Sequence, residues 1–152
     1  MKMLNQMKLT FMSKSNNEAF SRTAVAAFMS QLDPTVDELT DLKTAVSEAV
    51  TNCIVHGYPD SIGMVYITAA IYPDSRIVVT IKDKGCGIDD IGRAMEPLYT
   101  SCPDGERAGL GFAVMQSLCD KVRVRSAPGK GTSVSLTRMV RLRGQDDGKG
   151  AE

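Results

Sequence analysis

DKGCGI, residues 83–88, is the stretch of sequence that decides the fold. An apolar run with strand character, residues 76–81, precedes it. Gly85 and Gly87 let the backbone turn tightly where that strand ends. Asp83 is thereby placed at the end of a strand, where its carboxylate could accept a hydrogen bond from an adenine amino group in an otherwise apolar pocket. Taken alone, the same letters also describe an ordinary Asp/Gly turn.

The helix predicted before this stretch carries Glu48 and Asn52 one turn apart, so both side chains point the same way. Its apolar stripe, which includes Val46 and Cys53, lies elsewhere on the cylinder, so the core does not require either polar residue. In a functional interpretation Asn52 supplies an amide oxygen to Mg²⁺, and Glu48 polarises an attacking oxygen nucleophile. A solvated helix face is the alternative that an isolated Glu-x-x-x-Asn would favour.

Downstream, Gly109-Leu110-Gly111 opens another helical segment and can present backbone N–H groups to phosphates. Arg107, just before it, could clamp the terminal phosphate and stabilise the charge that develops there during transfer. The alternative is a glycine hinge beside a solvated arginine. Thr132 either supplies a hydroxyl near adenine or is simply a β-former after a glycine turn.

The other elements follow from periodicity and caps. A strand is predicted over 8–13 and a first helix over about 16–31, begun by a capping box at Ser15. A second capping box at Thr35 begins the helix of Glu48, and Gly57 suits a left-handed position at its end. The predicted apolar stripe of the first helix is Phe20, Ala24, Ala27, Phe28 and Leu32. Further strands are predicted at 65–71, 76–81, 122–126 and 132–137, and further helices at 88–95 and 109–119.

This set of motifs, in this order and without a P-loop or a dinucleotide fingerprint, resembles the Bergerat ATP-binding fold of gyrase, Hsp90, MutL and histidine kinases. The resemblance implies an α/β fold of two layers, with a mixed, mostly antiparallel sheet, helices on one face and a mobile ATP lid. Residues 96–108 are the candidate lid, because they lack a sustained period and contain two prolines.

Composition limits the kinds of partner, the location and the number of domains that the chain can have. The chain of 152 residues carries 18 basic and 18 acidic residues and a formal net charge of zero, so a direct nucleic-acid partner is not expected. No run of 18 apolar residues occurs, and a cytoplasmic protein without a membrane partner is expected. Residues 1–143 are predicted to form one domain, and the polar, glycine-rich 144–152 a disordered tail.

Within the superfamily, the chain is similar to the small serine kinases that act as bacterial anti-sigma factors, in particular those of sporulation. The matching stretches are residues 16–22, 32–35, 46–52, 56–58, 97–101 and 106–112. The resemblance implies a homodimer that uses ATP and Mg²⁺, holds a sigma factor of the sigma F type away from RNA polymerase, and phosphorylates a serine of an anti-anti-sigma protein. It also assigns Thr100 and Ser101 to nucleotide binding and Arg22, off the predicted apolar stripe and free to face outward, to partner binding.

Three alternatives stay open. One is a general-stress anti-sigma serine kinase, and another is an ATP-dependent binding module without phosphate transfer, against which the presence of Glu48 argues. The third is a detached ATPase domain of a two-component kinase, which should bring a dimerisation helix and a phosphoacceptor histidine. His56 is the single histidine of the chain, and we interpret it as a packing or capping residue that closes its helix.

Overall fold

A computed structural model describes residues 2–88 and 108–141 of the chain. Its strands are β1 Asn5–Met12, β2 Met64–Tyr72, β3 Arg76–Asp83, β4 Lys121–Ala127 and β5 Gly131–Met139. Its α-helices are α1 Asn16–Met29, α2 Val36–Asn52 and α3 Ala108–Leu118. A 3₁₀ turn, Ser30–Leu32, follows α1, and a π-helical turn, Cys53–Gly57, extends α2. The predicted elements at 8–13, 65–71, 76–81, 109–119, 122–126 and 132–137 are all present, most of them a residue or more longer than expected.

The five strands form one sheet in the order β1-β2-β3-β5-β4, and every pairing is antiparallel. Alternate residues of β2 and β3, such as Val65, Ile67, Val79 and Ile81, are buried on one face, where α1 and α2 pack. The structure thus has the predicted two-layer α/β architecture, with a sheet that is antiparallel throughout the described strands. Asp83 is the last residue of β3, and its side chain lies on this inner face, towards the helices, where it is 3% exposed.

The start of α2 follows the predicted capping box. Thr35 accepts the Glu38 backbone N–H on its hydroxyl at 3.1 Å, and Glu38 accepts the Thr35 N–H at 2.8 Å. The second carboxylate oxygen of Glu38 accepts the backbone N–H of Arg141 at 2.8 Å, so this buried side chain also ties α2 to the segment after β5. Burial acts to raise the pKa of Glu38, but these hydrogen bonds outweigh it and the pKa is lowered overall.

We expect Glu38→Ala to lower the free energy of unfolding by about 1 to 2 kcal/mol, because a cap and an interelement bond are lost together. Since the folded pKa of Glu38 is lowered, its contribution is present above the unfolded pKa and lost as pH falls through the folded pKa. Urea unfolding at neutral and acid pH measures both effects. Asp37→Ala, at the exposed neighbouring position of the same first turn, is the control. A loss no greater than that of the control, or one independent of pH, would show that Glu38 is not a stabilising cap.

Helix α1 differs from its prediction. The capping box at Ser15 does not form, since Ser15 makes no side-chain cap bond and has helical backbone angles. The predicted stripe is also rotated from the buried face, because Phe20 is 52% exposed. The buried residues of α1 are Ser21, Val25, Ala26 and Met29. The buried Ser21, Val25 and Met29 each follow a predicted stripe residue by one position, so the buried face is rotated by about 100° from the prediction.

Helix α2 does not end in a left-handed glycine. The helix widens into the π-helical turn, and Gly57 is not among the described glycines with positive φ, which are Gly87, Gly129 and Gly131. The reason for glycine at position 57 is steric and lies in the site described below. The predicted hairpin turn after β2 is present, where Ser75 donates its N–H to the Tyr72 carbonyl at 3.1 Å.

Three predictions lie outside the described residues, apart from the terminal residues Ile88 and Ala108. They are the short helix over 88–95, the candidate lid over 96–108 and the tail over 144–152. In the part of the chain that the structure describes, no helix is both long enough and apolar enough to span a bilayer.

Candidate nucleotide site

The first turn of α3 packs directly against the polar face of α2. A Cβ atom added at Gly111 would lie 3.2 Å from Asn52 Nδ2 and 3.5 Å from a carboxylate oxygen of Glu48. Glu48 is only 9% exposed. The Glu-x-x-x-Asn pair therefore does not form a solvated helix face, but a shared polar site with the glycine end of α3.

Asn52 carries an unsatisfied polar atom in this site. Its Nδ2 is buried and has no hydrogen-bond partner among the described residues. A buried amide nitrogen without a partner costs about 1 to 3 kcal/mol, so in a native site this donor requires an acceptor from outside the described residues. Because the amide carries a donor and an acceptor at its tip, Asn52 suits either a phosphate oxygen or, through its oxygen, Mg²⁺. The residues present therefore fit a metal nucleotide.

Asp83 is the second buried polar group. Its carboxylate accepts the Gly85 backbone N–H at 2.9 Å, the backbone N–H of Thr132, and a hydrogen bond from the thiol of Cys53. Burial raises the pKa of Asp83, although these three hydrogen bonds oppose the shift. The carboxylate is held in one orientation by fixed donors, as a residue that reads a ligand amino group must be.

Two glycines allow this approach. A Cβ at Gly57 would lie 2.9 Å from the Asp83 carboxyl carbon, and one at Gly85 would overlap the carbonyl oxygen of Gly57. That carbonyl accepts the Cys86 N–H at 3.0 Å and so joins the end of α2 to the loop after β3. Position 57 therefore requires glycine because Asp83 lies against it, and not because of a left-handed backbone.

Thr132 lies beside Asp83, since the two residues are paired across β3 and β5. Its hydroxyl lies 2.8 Å from that of Ser126, which accepts the Ile88 backbone N–H at 2.8 Å. Gly87, with φ of +77°, passes so close to the Ala127 carbonyl that a side chain would collide with it. The hairpin of β4 and β5 thus supports the loop that follows Asp83.

The structure therefore brings together six of the predicted site residues along one face of α2, the end of β3 and the start of α3. They are Glu48, Asn52, Asp83, Gly85, Gly87 and Gly111, with Thr132 adjoining. Gly109 and Leu110 lie in the first turn of α3, as predicted for a phosphate-binding helix start. Arg107, Thr100 and Ser101 lie outside the described residues.

Arg22 differs from its prediction in one respect, because its charge is not free. Its guanidinium lies 3.4 Å from a Glu18 carboxylate oxygen and 3.5 Å from the Ser47 hydroxyl, and its side chain is 43% exposed. The spacing of one helical turn between Glu18 and Arg22 produces the ion pair. Ser47 directly precedes Glu48, so Arg22 lies close to the nucleotide site while remaining accessible.

His56 lies half-buried in the π-helical turn, where burial lowers its pKa. Its backbone carbonyl accepts a hydrogen bond from the Cys86 thiol at 2.9 Å. Sequence reasoning missed Cys53 and Ser126 as members of the site. Cys53 falls on the apolar stripe of α2, and nothing in its spacing distinguishes a packed thiol from one that donates to Asp83.

The small space at Gly111 yields a prediction. Gly111→Ala should maintain or raise thermal stability, since alanine favours helix over glycine by about 1 kcal/mol. It should nevertheless weaken Mg²⁺-ATP binding, because the methyl group enters the space between Asn52 and Glu48. Calorimetric binding beside thermal unfolding separates the two effects. Ser117→Ala, an exposed position later on α3, is the control, and unchanged ATP affinity in Gly111→Ala would place the phosphates elsewhere.

Comparisons with known proteins identify the family of this chain. A family model described as "Histidine kinase-like ATPase domain" matches residues 13–138. An "Anti-sigma F factor" of Thermoanaerobacter sp. (strain X514) is 54% identical over 140 residues, which are 92% of this chain and 97% of the relative. The protein of the same name from Clostridium beijerinckii is 56% identical over 88% of this chain and 94% of its own length. The protein of the same name from Oceanobacillus iheyensis is 53% identical over 91% of this chain and 94% of its own length.

Solved structures show the same fold at low sequence identity. The RsbU and RsbW domains of a Mycobacterium tuberculosis protein match with a TM-score of 0.67 and 20% identity, over 91% of this chain and 33% of that one. The mycobacterial sensor histidine kinase MprB matches with a TM-score of 0.56 and 19% identity, over 89% and 99%.

Proposed function

We infer the function from the family: this chain belongs to the histidine kinase-like ATPase family and, within it, to the anti-sigma F factors. We propose that it is a serine kinase that controls a sporulation sigma factor. It binds a sigma factor of the sigma F type in the presence of ATP and keeps it from RNA polymerase. It phosphorylates a serine of its anti-anti-sigma antagonist with ATP and Mg²⁺. It works as a homodimer in the cytoplasm, where both partners act.

The observation that carries the proposal is the buried, unpartnered amide of Asn52 beside Glu48 and the glycine end of α3. A domain that bound ATP only as a structural ligand would need Asp83 and the helix start. It would not need a buried carboxylate one turn from the metal-binding amide. Glu48 is therefore the residue that favours transfer over binding alone.

The roles divide between the two ends of the site. Asp83 accepts a hydrogen bond from the adenine amino group, and the backbone N–H groups at the start of α3 donate hydrogen bonds to phosphate oxygens. Asn52 would hold Mg²⁺, which supplies positive charge against the phosphates when bound. Glu48 accepts the proton of the serine hydroxyl as that oxygen attacks the terminal phosphorus, the bond from this phosphorus to the bridging oxygen breaks, and ADP leaves. Arg107, by its place just before α3, is proposed to stabilise the charge on the transferred group.

A general-stress anti-sigma serine kinase is the second candidate, since the sequence resembles the small anti-sigma serine kinases as a class. The relatives at more than 50% identity carry the sporulation name, so we favour the sporulation sigma factor. Retention of a sporulation-type sigma factor, but not of a general-stress one, on the immobilised chain with ATP is the expected result. The reverse preference would replace our proposal with the second candidate.

Arg22 is proposed as a partner-binding residue, and its position supports this. Its accessible guanidinium lies between α1 and Ser47, the residue before Glu48, so a partner bound there lies next to the phosphate end of the site. Arg22→Glu should weaken both the sigma factor and the antagonist by about tenfold or more, through association and specificity rather than fold. ATP affinity and thermal stability should change little, because the exposed ion pair contributes less than about 1 kcal/mol.

The control is Lys2→Glu, since Lys2 is also exposed and the substitution makes the same change of net charge. Lys2 precedes β1 and belongs neither to α1 nor to the outer face of the sheet. A pull-down of the sigma factor with ATP present compares the two variants. Full retention by Arg22→Glu, or an equal loss in Lys2→Glu, would remove Arg22 from the interface.

A further inference from the structure

The face of the sheet turned away from the helices has an uneven charge. Register places alternate residues of each strand on this outer face, and none of those positions in the five strands is acidic. Six of them are basic: Lys8, Arg76, Lys82, Lys121, Arg123 and Arg125. Because the whole chain has a net charge of zero, this surface, which we call the basic sheet face, concentrates positive charge on one side of the domain.

The cations are densest where β3, β5 and β4 lie side by side. Arg125, Ser133 and Lys82 are direct cross-strand neighbours in one row, so the Cα atoms of the two basic residues lie about 10 Å apart with Ser133 between them. A cleft of about 310 Å³ opens there. It is lined by Lys82, Arg125, Lys130 and Ser133, and it also reaches Asp83, Ser126 and Thr132 of the nucleotide site. All three cations are exposed, and none forms an ion pair with a carboxylate among the described residues.

Protection of a sheet edge does not account for this arrangement. Edge strands often carry lysine or arginine to prevent pairing with other chains, and β4 is at the edge of the described sheet. Lys82, however, is on β3, the central strand of the order, and Lys130 is in the turn before β5. Cations that converge on one cleft from a central strand, an edge strand and a turn indicate an anionic partner.

The chemistry of the face favours a polypeptide over a nucleic acid. Single-stranded nucleic acid is bound by aromatic side chains on which bases stack. Tyr66 and Tyr72 point outward here, but the Lys84 ammonium lies 5.1 Å from the Tyr66 ring and the Arg76 guanidinium 4.2 Å from the Tyr72 ring. Both rings are already covered by cations. A second copy of the same face would repel this one by like charge.

We propose that the basic sheet face binds a carboxylate-rich segment of a partner protein, anchored in the cleft between Lys82, Arg125 and Lys130. The basic sheet face is on the opposite side of the sheet from α2, and its cleft meets the nucleotide site only at Asp83 and Thr132. It is a second interaction surface, separate from that around Arg22, and it does not depend on phosphate transfer.

The test measures binding of a short fluorescein-labelled oligoglutamate peptide to the full chain by anisotropy, at low and at physiological salt. The double variant Lys82→Glu with Arg125→Glu should bind at least about tenfold more weakly. The control, Lys14→Glu with Lys43→Glu, makes the same change of net charge away from this face and should change affinity less than about twofold. Lys82→Gln with Arg125→Gln repeats the test without charge reversal, and thermal unfolding verifies that each variant is folded.

An equal loss in the two charge-reversed pairs would show only a dependence on net charge and would overturn the proposal. Absence of peptide binding to the wild-type chain at low salt would also overturn it. A single-stranded DNA oligonucleotide of matched charge is the competing ligand. If it binds more tightly than the peptide and loses affinity in the same variants, the face is a nucleic-acid site and the polypeptide assignment is wrong.

Discussion

Asp83→Asn is expected to lose ATP affinity by about 1 to 3 kcal/mol, or about 5- to 150-fold. The wild-type carboxylate is 3% exposed and accepts from the Gly85 and Thr132 backbones and the Cys53 thiol. An amide has one acceptor oxygen and one donor nitrogen, so it cannot accept from all of these and from the adenine amino group as well. The variant leaves a buried group unpaired, with or without nucleotide.

Isothermal calorimetry with ATP and with inosine triphosphate measures the effect. Inosine carries a carbonyl in place of the adenine amino group, so wild type should prefer ATP strongly and Asp83→Asn should prefer it much less. Asp74→Asn, in the exposed turn between β2 and β3, is the control for a general effect of removing an acid. Equal ATP affinity in Asp83→Asn and wild type would show that the base binds elsewhere.

The raised pKa of Asp83 adds a dependence on pH. Burial stabilises the protonated form in the folded chain, so the contribution of Asp83 to stability is present below its unfolded pKa and is lost as pH rises through the folded pKa. ATP affinity should follow the opposite direction, because only the carboxylate accepts fully from the amino group. As pH falls from the folded pKa of Asp83 towards its unfolded pKa, Asp83 makes the ligand-free chain more stable, while the affinity for ATP decreases.

Glu48→Gln is expected to retain ATP binding while phosphate transfer falls by about 10²- to 10⁴-fold. The substitution preserves shape but removes the base, which acts only in the transition state. Asn52→Ala should differ, since a metal ligand acts in the ground state as well, and its Mg²⁺-dependent ATP affinity should fall by about tenfold or more. The two side chains flank the same space at Gly111, so different results would reflect chemistry rather than position.

Single-turnover transfer and equilibrium binding, each with and without Mg²⁺, measure these expectations. Thr51→Ala serves as the control, because Thr51 lies on the same helix about 100° round from Asn52. If both variants lost ATP binding equally, the separate roles of Glu48 and Asn52 would be rejected. Full transfer by Glu48→Gln would eliminate Glu48 as the base.

The parts of the molecule that sequence reasoning predicted correctly depend on short-range rules. The capping box of Thr35 and Glu38 is a contact over three residues, and its two hydrogen bonds are both present. Glu48 and Asn52 share a face because helical geometry places them one turn apart. Strands with alternating or continuous apolar residues were likewise found at the expected places.

The predictions from sequence were wrong where contacts between distant parts of the chain determine the local structure. The box at Ser15 has the same Ser/Thr-x-x-Glu pattern as that at Thr35, yet it does not form. Helix α1 buries Ser21 and exposes Phe20, so its buried face is displaced by one residue from the predicted apolar stripe. Gly57 was interpreted through local backbone conformation, whereas its requirement comes from Asp83, which is 26 residues away in sequence. The thiol of Cys53 became a partner of Asp83 for the same reason.

The most direct test of the account is transfer from γ-labelled ATP with Mg²⁺ to the anti-anti-sigma protein of the same organism. We predict label on a serine of that protein, none when Glu48→Gln replaces the wild-type chain, and no labelled histidine on the chain itself. Label that appears on His56, or no label on the antagonist while ATP remains bound, would contradict the assignment of this domain as a serine kinase.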